Sequence, residues 1–308
     1  MWATSKASRR EVFGWAMFDF ANQAYTLLII TVVYGELFTT VIVTEMGDDY
    51  RLANLLWSSA LALSYCAVVA SAPVCGAVMD YAGAKKRFLF ISYVTTVTAT
   101  AALYLVEPGY IVLGLILIAL SNYAYSMGEA FIAGFLPDIA DSREMGRVSG
   151  LGWSLGYLGG LCATVFTVLV LGEVSKENFE RIRWVGPFAA AFFLLCAVPT
   201  FLWLRERGKP RRLPQGRGYV RLGFDRVRQT LSSLGELREM AVFMVSLLLA
   251  MAGLVIVLAY AFIYGAQVIG WDDRVRMMMF VTTQIAAALG AVVFGLIQDR
   301  LGAKRTYM

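Results

Sequence analysis

Residues 76–86, GAVMDYAGAKK, decide the fold because the chain repeats them. Residues 295–305 read GLIQDRLGAKR, so both copies fit the pattern G-x-x-x-D-x-x-G-A-K-[KR] and begin 219 residues apart. Each copy follows a long apolar segment. We expect the glycines to form a tight turn between two helices and the basic residues to anchor one face of a membrane. The aspartates are suited to capping a helix or pairing with a cation.

The composition is that of an integral membrane protein. Hydrophobic residues make up 59% of the 308, charged residues 16%, and the mean hydropathy is +0.65. A soluble domain is about half apolar and about a quarter charged. A spanning helix needs about 20 mostly apolar residues. Eight segments meet this length: about 13–43, 54–79, 88–106, 110–135, 148–171, 184–204, 240–268 and 277–298.

The distribution of Lys and Arg predicts the orientation. Of the 27 basic residues, 21 fall on the side of the N-terminus and six on the other side, which predicts a cytoplasmic N-terminus. The chain then divides into a six-helix transmembrane half (1–204), a cytoplasmic linker (205–238) and the first two helices of a second half (239–308). The basic residues form short runs, so the net charge of +5 does not indicate a nucleic-acid partner.

The linker contains an amphipathic stretch. Its apolar residues fall on one helical stripe, and these are Val220, Phe224, Val227, Leu231 and Leu234. This period predicts a basic helix on the cytoplasmic membrane surface, with a solvated loop as the alternative.

The residue inventory argues against several kinds of catalytic and metal site. The chain has no histidine, which removes the His-dependent catalytic arrangements and the commonest transition-metal ligand. Its four cysteines lie in apolar segments without a C-x-x-C pair, so neither a zinc site nor a disulfide framework is expected. The phosphate-binding pattern G-x-x-x-x-G-K-[ST] is missing. We therefore expect no metal and no cofactor.

Acidic residues inside the predicted spans are candidates for function, since ionisable groups in a bilayer are costly. Only Asp19, Glu36 and Glu129 qualify, and Glu36 is near the outer interface. Asp19 and Asn22 share one face of helix 1. Asn122, Ser126 and Glu129 share one face of helix 4. We expect these five residues to lie along the path of the solute or the proton.

Asp19 and Glu129 are predicted to lie at similar depth. Each is about two turns from the cytoplasmic end of its helix. We interpret both as candidates for coupling proton movement to solute movement, with Glu129 the stronger one. The alternative is that Asp19 and Asn22 only hydrogen-bond neighbouring helices and hold the bundle together.

Two further sets are singled out by spacing. Helix 5 carries small residues at four-residue intervals, which favours close helix packing and is compatible with sliding during transport; they are Gly152, Gly156 and Gly160, with Gly159 beside them. Tyr260 and Tyr264 share a face of helix 7 and are weaker candidates for solute contact, since tyrosines also gather at membrane interfaces.

Three motifs carry a family resemblance. Residues 15–22 (WAMFDFAN), 136–140 (LPDIA) and 149–160 (SGLGWSLGYLGG) are similar to patterns of the vacuole-effluxer-like family of the major facilitator superfamily. That family includes autophagy-related amino-acid effluxers and bacterial relatives. The repeated loops resemble the superfamily signature between helices 2 and 3 and its counterpart between helices 8 and 9. One departure is Ala133, where the family often has Asn.

The resemblance implies an all-α bundle of two six-helix halves. This chain holds the first half and two helices of the second, so we expect a fragment truncated after helix 8. The resemblance also implies that helices 1 and 4 line a central cavity, and that the repeated loops gate its cytoplasmic side. The gating candidates are Gly76, Asp80, Gly83, Lys85, Lys86, Gly295, Asp299, Gly302, Lys304 and Arg305.

The expected function is secondary active transport by alternating access. The partners would be a small organic solute, protons or another coupling ion, and membrane lipids. The resemblance suggests amino acids and efflux, in a bacterial inner membrane rather than an organelle, with a monomer as the favoured state. Two alternatives stay open. One is a truncated, non-transporting scaffold or receptor, and the other is a membrane-embedded enzyme, for which the catalytic inventory is poor.

Overall fold

A computed structural model shows a bundle of long helices. It describes residues 6–43, 51–172, 174–208, 219–233, 238–264 and 268–307, and these ranges contain helices and no strand. The predicted all-helical membrane fold is confirmed. Eight long helices are described: α1 (Arg9–Ala24), α2 (Arg51–Ala82), α3 (Lys85–Ala102), α4 (Ile111–Ala133), α5 (Met145–Leu171), α6 (Val185–Cys196), α7 (Arg238–Tyr264) and α8 (Asp273–Leu301).

Short helical segments extend several of these helices. α1 continues through the π-helical Tyr25–Val32, the helix Tyr34–Leu37 and the π-helical Phe38–Ile42; α3 ends in the 3₁₀ turn Leu103–Leu105, and α6 continues as Val198–Trp203. The remaining short helices are Leu136–Ile139, Phe179–Ile182 and Ala303–Tyr307.

Among the described residues, seven continuous helical segments are long and apolar enough to cross a membrane. They contain α1 to α6 and α8, which correspond to the first six predicted spans and the eighth. The seventh predicted span, 240–268, corresponds to the 27-residue helix α7. Residues 265–267 and the side chains of Tyr260 and Tyr264 lie outside what the structure describes, so their predicted solute contacts stay predictions.

The outer part of the first span is wound more loosely than an α-helix. Its π-helical segment Tyr25–Val32 includes β-branched residues, which lose side-chain freedom in a regular helix. Contacts with α4 hold it in place: the Tyr25 hydroxyl lies 2.8 Å from Ser121 Oγ, and Thr26 Oγ1 donates to the Tyr125 hydroxyl at 2.7 Å. The first span is therefore fixed to α4 by polar contacts as well as by its apolar core.

Helix α5 packs closely against helices on two sides through its glycines. A Cβ added at Gly159 would collide with the carbonyl oxygen of Phe20 in α1. On another face, a Cβ at Gly150 would collide with the carbonyl oxygen of Ala291 in α8, and Gly146 packs directly on Gly295. The spacing in the sequence predicted close packing at the glycines of 152–160 but not at Gly146 and Gly150, which face α8.

The first glycine of each repeated motif is not in a turn, contrary to our expectation. Gly76 lies inside α2 and Gly295 inside α8. The turn glycines are Gly83 and Gly302, whose φ angles of 58° and 84° belong to the left-handed region. Gly295 serves the close approach to Gly146, whereas a Cβ at Gly76 would meet nothing within 4 Å in the described part of the chain.

The linker forms the predicted helix, at Tyr219–Ser232. It packs on α2 at Gly223, where an added Cβ would lie 2.9 Å from Val74 Cγ1. Phe224 of the apolar stripe is 60% exposed. Residues 209–218 and 234–237, including Leu234, lie outside the described residues, as do the side chains of Val220 and Leu231. Attachment of this helix to the membrane surface stays a prediction.

Arg183 is buried, although the sequence analysis treated it as an outer-loop residue. The apolar helical segment begins at Phe179 rather than at the predicted 184, so Arg183 lies within it. Its Nη2 and Nε donate to the carbonyl oxygen of Tyr104 at 2.6 and 3.1 Å, and its guanidinium stacks 4.3 Å from the Tyr104 ring. Arg183 thereby joins the start of the sixth span to the end of the third.

Replacement of Gly159 by Ala tests the α1–α5 contact. We expect Gly159→Ala to lower the free energy of unfolding by about 1–3 kcal/mol, because the methyl group forces α5 away from Phe20. Denaturant unfolding in detergent micelles measures this change. The control is Gly290→Ala in α8, where an added Cβ meets nothing within 4 Å and stability should hold or rise slightly. Equal losses in both variants would contradict the packing argument.

Candidate solute site and the contact of α8 with α5

Three helices line a partly open cavity of about 150 Å³, at the depth of Trp15 to Gln23 in α1. Each helix contributes residues at intervals of three or four, so each presents one face to the cavity. The lining residues are Trp15, Asp19 and Gln23 from α1; Glu129, Ile132 and Ala133 from α4; Leu136 just after α4; and Ser149, Trp153 and Gly156 from α5.

The cavity contains both carboxylates that the sequence analysis selected. Asp19 and Glu129 lie in its wall, and no lining residue is Lys or Arg. Asn22 donates a hydrogen bond from Nδ2 to Glu129 Oε1. Its own Oδ1 is buried without a donor among the described residues. The predicted neighbours Asp19, Asn22 and Glu129 thus form one polar group at the α1–α4 contact.

Gly152 provides the space that Asp19 occupies. A Cβ at this position would collide with Asp19 Oδ2 and would lie 2.8 Å from the ring of Trp15. The glycine therefore lets the carboxylate and the indole lie directly against the backbone of α5. In this way the sequence motif 149–160 shapes the cavity as well as packing the helices.

Two tryptophans form the aromatic wall of the cavity. Trp15 is buried, and its Nε1 donates to the carbonyl oxygen of Ile132 at 2.9 Å, which fixes the indole orientation. Trp153 is 54% exposed, and its ring centroid lies 6.1 Å from that of Tyr157. Neither tryptophan was named as a site residue from the sequence, and neither was Gln23. The available signal was the four-residue spacing of Trp15 and Gln23 from Asp19.

Asn122 lies in a contact between helices and not in the cavity, contrary to our expectation. Its Nδ2 donates to Ser64 Oγ of α2 at 2.6 Å, in a buried setting. Ser126 is also not among the lining residues. Asn122 is seven residues from Glu129, which is about 10 Å along the helix. The same face of α4 therefore borders the cavity at Glu129 and packs against α2 at Asn122.

The second copy of the repeated motif joins α8 to the start of α5. Asp299 Oδ1 accepts from the backbone N–H of Gly146 at 2.8 Å, and Oδ2 accepts from that of Arg147 at 2.9 Å. These N–H groups are at the start of α5, where a helix has no internal acceptors and its dipole favours an anion. The carboxylate of α8 thus serves as an N-terminal cap for α5.

The first copy of the motif makes different contacts. Lys85 Nζ donates to the carbonyl oxygen of Gly134 at 2.9 Å and to Asp138 Oδ2 at 2.8 Å. Lys86 donates from its backbone N–H to Glu206 and from Nζ to the Leu204 carbonyl oxygen, each at 2.7 Å. Both lysines are therefore held by the ends of α4 and of the sixth span.

Asp80 and the end of the second copy are more exposed. The Asp80 side chain is 55% exposed and lies 3.9 Å from Lys85 Nζ. Lys304 and Arg305 are exposed in the helix Ala303–Tyr307.

The ion pair between the buried Glu11 and the exposed Arg207 was not predicted from the sequence. Arg207 Nη2 donates to Glu11 Oε2 at 2.7 Å, and Arg207 Nη1 donates to Glu11 Oε1. The hydrogen bonds to Glu11 raise the pKa of Arg207 above its ordinary value. Glu11 also accepts from the backbone N–H of Arg205. The pair ties the segment after the sixth span to the start of α1.

Comparison with known proteins identifies the family. The family model described as vacuole effluxer Atg22 like matches residues 52–308. The chain belongs to this family. The family assignment agrees with the resemblance predicted from the three sequence motifs.

Relatives of the vacuole effluxer-like chain occur in bacteria and fungi. The uncharacterized MFS-type transporter YxiO of Bacillus subtilis is 24% identical over 295 residues, covering 94% of this chain and 68% of the relative. Autophagy-related protein 22-2 of Aspergillus clavatus is 24% identical over 170 residues, covering 52% of this chain and 28% of the relative. The chain thus spans about two thirds of the bacterial relative and less than a third of the fungal one.

A solved structure shows the same fold. The proton:xylose symporter XylE, a major facilitator protein bound to 6-bromo-6-deoxy-D-glucose, aligns with a TM-score of 0.70 at 16% identity. The alignment covers 96% of this chain and 70% of the symporter. Together with the family, this fold makes the vacuole effluxer-like chain a multi-pass integral membrane protein of the major facilitator transporter type, and not an enzyme.

Removal of the Asp299 carboxylate tests the contact between α8 and the start of α5. We expect Asp299→Ala to lower the free energy of unfolding by about 1–3 kcal/mol, because two N–H groups of α5 lose a charged acceptor. Denaturant unfolding in micelles measures the loss. Asp80→Ala is the matched control, since this aspartate holds the same motif position and is largely exposed. A loss in Asp80→Ala as large as that in Asp299→Ala would contradict the assignment.

Proposed function

We propose that the vacuole effluxer-like protein is a proton-coupled secondary transporter of a small organic solute, and that Asp19 and Glu129 carry the coupled proton. The observation that supports this most directly is the shared cavity, which holds both carboxylates and has no basic side chain in its lining. Carboxylates inside a membrane are costly and recur in proton relays. A proton on one of them relieves the repulsion between the two.

The neighbouring amide supports a proton role for Glu129. Asn22 donates to one Glu129 oxygen, which leaves the other oxygen available for a proton or a solute group. This arrangement orients the carboxyl group without adding a positive charge. A carboxylate paired with Lys or Arg would stay ionised.

Alternating access requires a contact between the halves that can open. The contact between Asp299 and the start of α5 is suited to this role, because it connects the second copy of the motif to the first six helices. We propose that it closes the cytoplasmic side of the cavity. We propose that the other residues of the two repeated motifs take part in the same gating. We also propose that the first half is formed by residues 1–204, the linker by 205–238 and the second half by 239–308.

The family description supports efflux as the direction. Amino acids, which the sequence resemblance suggests, are one solute class to test. The bacterial relative matches more of the chain than the fungal one does, which supports a bacterial inner membrane. The excess of Lys and Arg on one side supports a cytoplasmic N-terminus. We propose that the protein functions as a monomer.

Transport in proteoliposomes tests the coupling. With a pH gradient imposed, a pool of amino acids and amines should drive proton movement that an enclosed pH-sensitive dye reports. We expect Glu129→Gln to reduce this solute-dependent proton movement by at least about tenfold, because the amide cannot carry the proton. Asp19→Asn should also reduce it.

Glu36→Gln provides the control for this experiment. Glu36 is an exposed carboxylate in the same first span and does not line the cavity. Its variant should retain wild-type proton movement. Undiminished proton movement in Glu129→Gln, with solute transport intact, would show that Glu129 does not couple.

A further inference from the structure

We propose that the solute is a small organic cation, whose charged nitrogen binds beside Asp19 and Glu129 and whose apolar part packs against Trp15 and Trp153. This inference rests on the proposed transport function and names its substrate class. Four features of the cavity support it: the charge, the unfilled acceptors, the aromatic wall and the size.

The charge of the cavity favours a positive ligand. Its lining holds two carboxylates and neither Lys nor Arg. An anionic solute would be repelled, and the carboxylate of an α-amino acid would find no cationic partner among these lining residues. Charge interactions are strong where water is excluded, so such mismatches discriminate well between solutes. A cation that has no carboxylate is not repelled and brings no negative charge that needs a partner.

The polar group also has acceptors without donors. Among the described residues, no hydrogen bond reaches the Asp19 carboxylate, and Glu129 receives one at Oε1 only. Asn22 Oδ1 is likewise without a donor, in a side chain that is 1% exposed. An alkylammonium group provides three N–H donors and accepts none. Its donor pattern therefore matches a group of acceptors that the protein leaves unfilled.

The aromatic wall and the volume limit the solute further. Indole faces attract cations that lie within about 6 Å of the ring centroid. Trp15 is held in one orientation by its bond to Ile132, so its ring is already placed as a wall before the solute arrives. The volume of about 150 Å³ is below the range of roughly 300–1,000 Å³ for drug-sized ligands. A short alkylamine suits these dimensions.

Three probes with one shared apolar body test the proposal. They are 3-methylbutylamine (a cation), leucine (a zwitterion) and 4-methylpentanoate (an anion). Isothermal titration calorimetry of the detergent-purified protein should show the amine binding at least about tenfold more tightly than leucine. The anion should show no saturable binding. Equal or tighter binding of leucine, or no saturable binding of the amine, would overturn the proposal.

Variants locate the binding and separate it from coupling. Asp19→Asn should weaken amine binding at least about tenfold, whereas Glu36→Gln should leave it unchanged. If size-exclusion chromatography shows that Asp19→Asn is misfolded, Glu129→Gln provides a second test. Unchanged amine binding in either variant, when folded, would refute the proposed binding site. Calorimetry requires no proton gradient. If the amine binds but no proton movement is seen, the proposed proton coupling is refuted and the cationic substrate is not. If leucine transport is proton-coupled and the amine binds weakly, the cationic substrate is refuted and the proton coupling is not.

Discussion

The close approach of α5 to α1 and α8 is the constraint on which the rest of the structure depends. Between helices in lipid there is little hydrophobic driving force, so packing relies on small residues that let backbones touch. Here Gly159 meets the Phe20 carbonyl and Gly150 meets the Ala291 carbonyl. Larger side chains would separate the three helices. The cavity wall and the contact of Asp299 with α5 would then lose their geometry together.

One helix, α5, therefore lines the cavity and also makes the contact with α8. Gly152 makes room for the Asp19 carboxylate, while the N–H of Gly146 binds Asp299. These glycines are six residues apart, or about 9 Å along the helix. A shift of α5 relative to α8 would disturb the Asp299 cap directly. Helices α1 and α5 both belong to the first predicted half, whereas α8 belongs to the second. The proposed rocking of the halves would therefore open the α5–α8 contact and leave the α1–α5 contact closed.

Sequence reasoning predicted the layout and the central pair of carboxylates, but not the neighbours of each side chain. Turn counting placed Asp19 and Glu129 at one depth because helical rise is regular, and both line the cavity. The same reasoning placed Asn122 with them, although it binds Ser64. Periodicity identifies a helix face and leaves open which helix covers it. Glu11 and Arg183 escaped notice for a related reason, since their burial depends on partners distant in sequence.

The two copies of the repeated motif show why a motif cannot be read as a set of fixed contacts. Asp299 caps α5 with two hydrogen bonds, whereas Asp80 is exposed and near Lys85. Likewise, Gly295 packs on Gly146, and Gly76 meets nothing within 4 Å in the described residues. The repeated pattern supplies a carboxylate one turn after a small residue on a helix face. That combination can hold the start of another helix, because the small residue admits the backbone and the carboxylate binds its free N–H groups. Which helix is held depends on the fold around each copy.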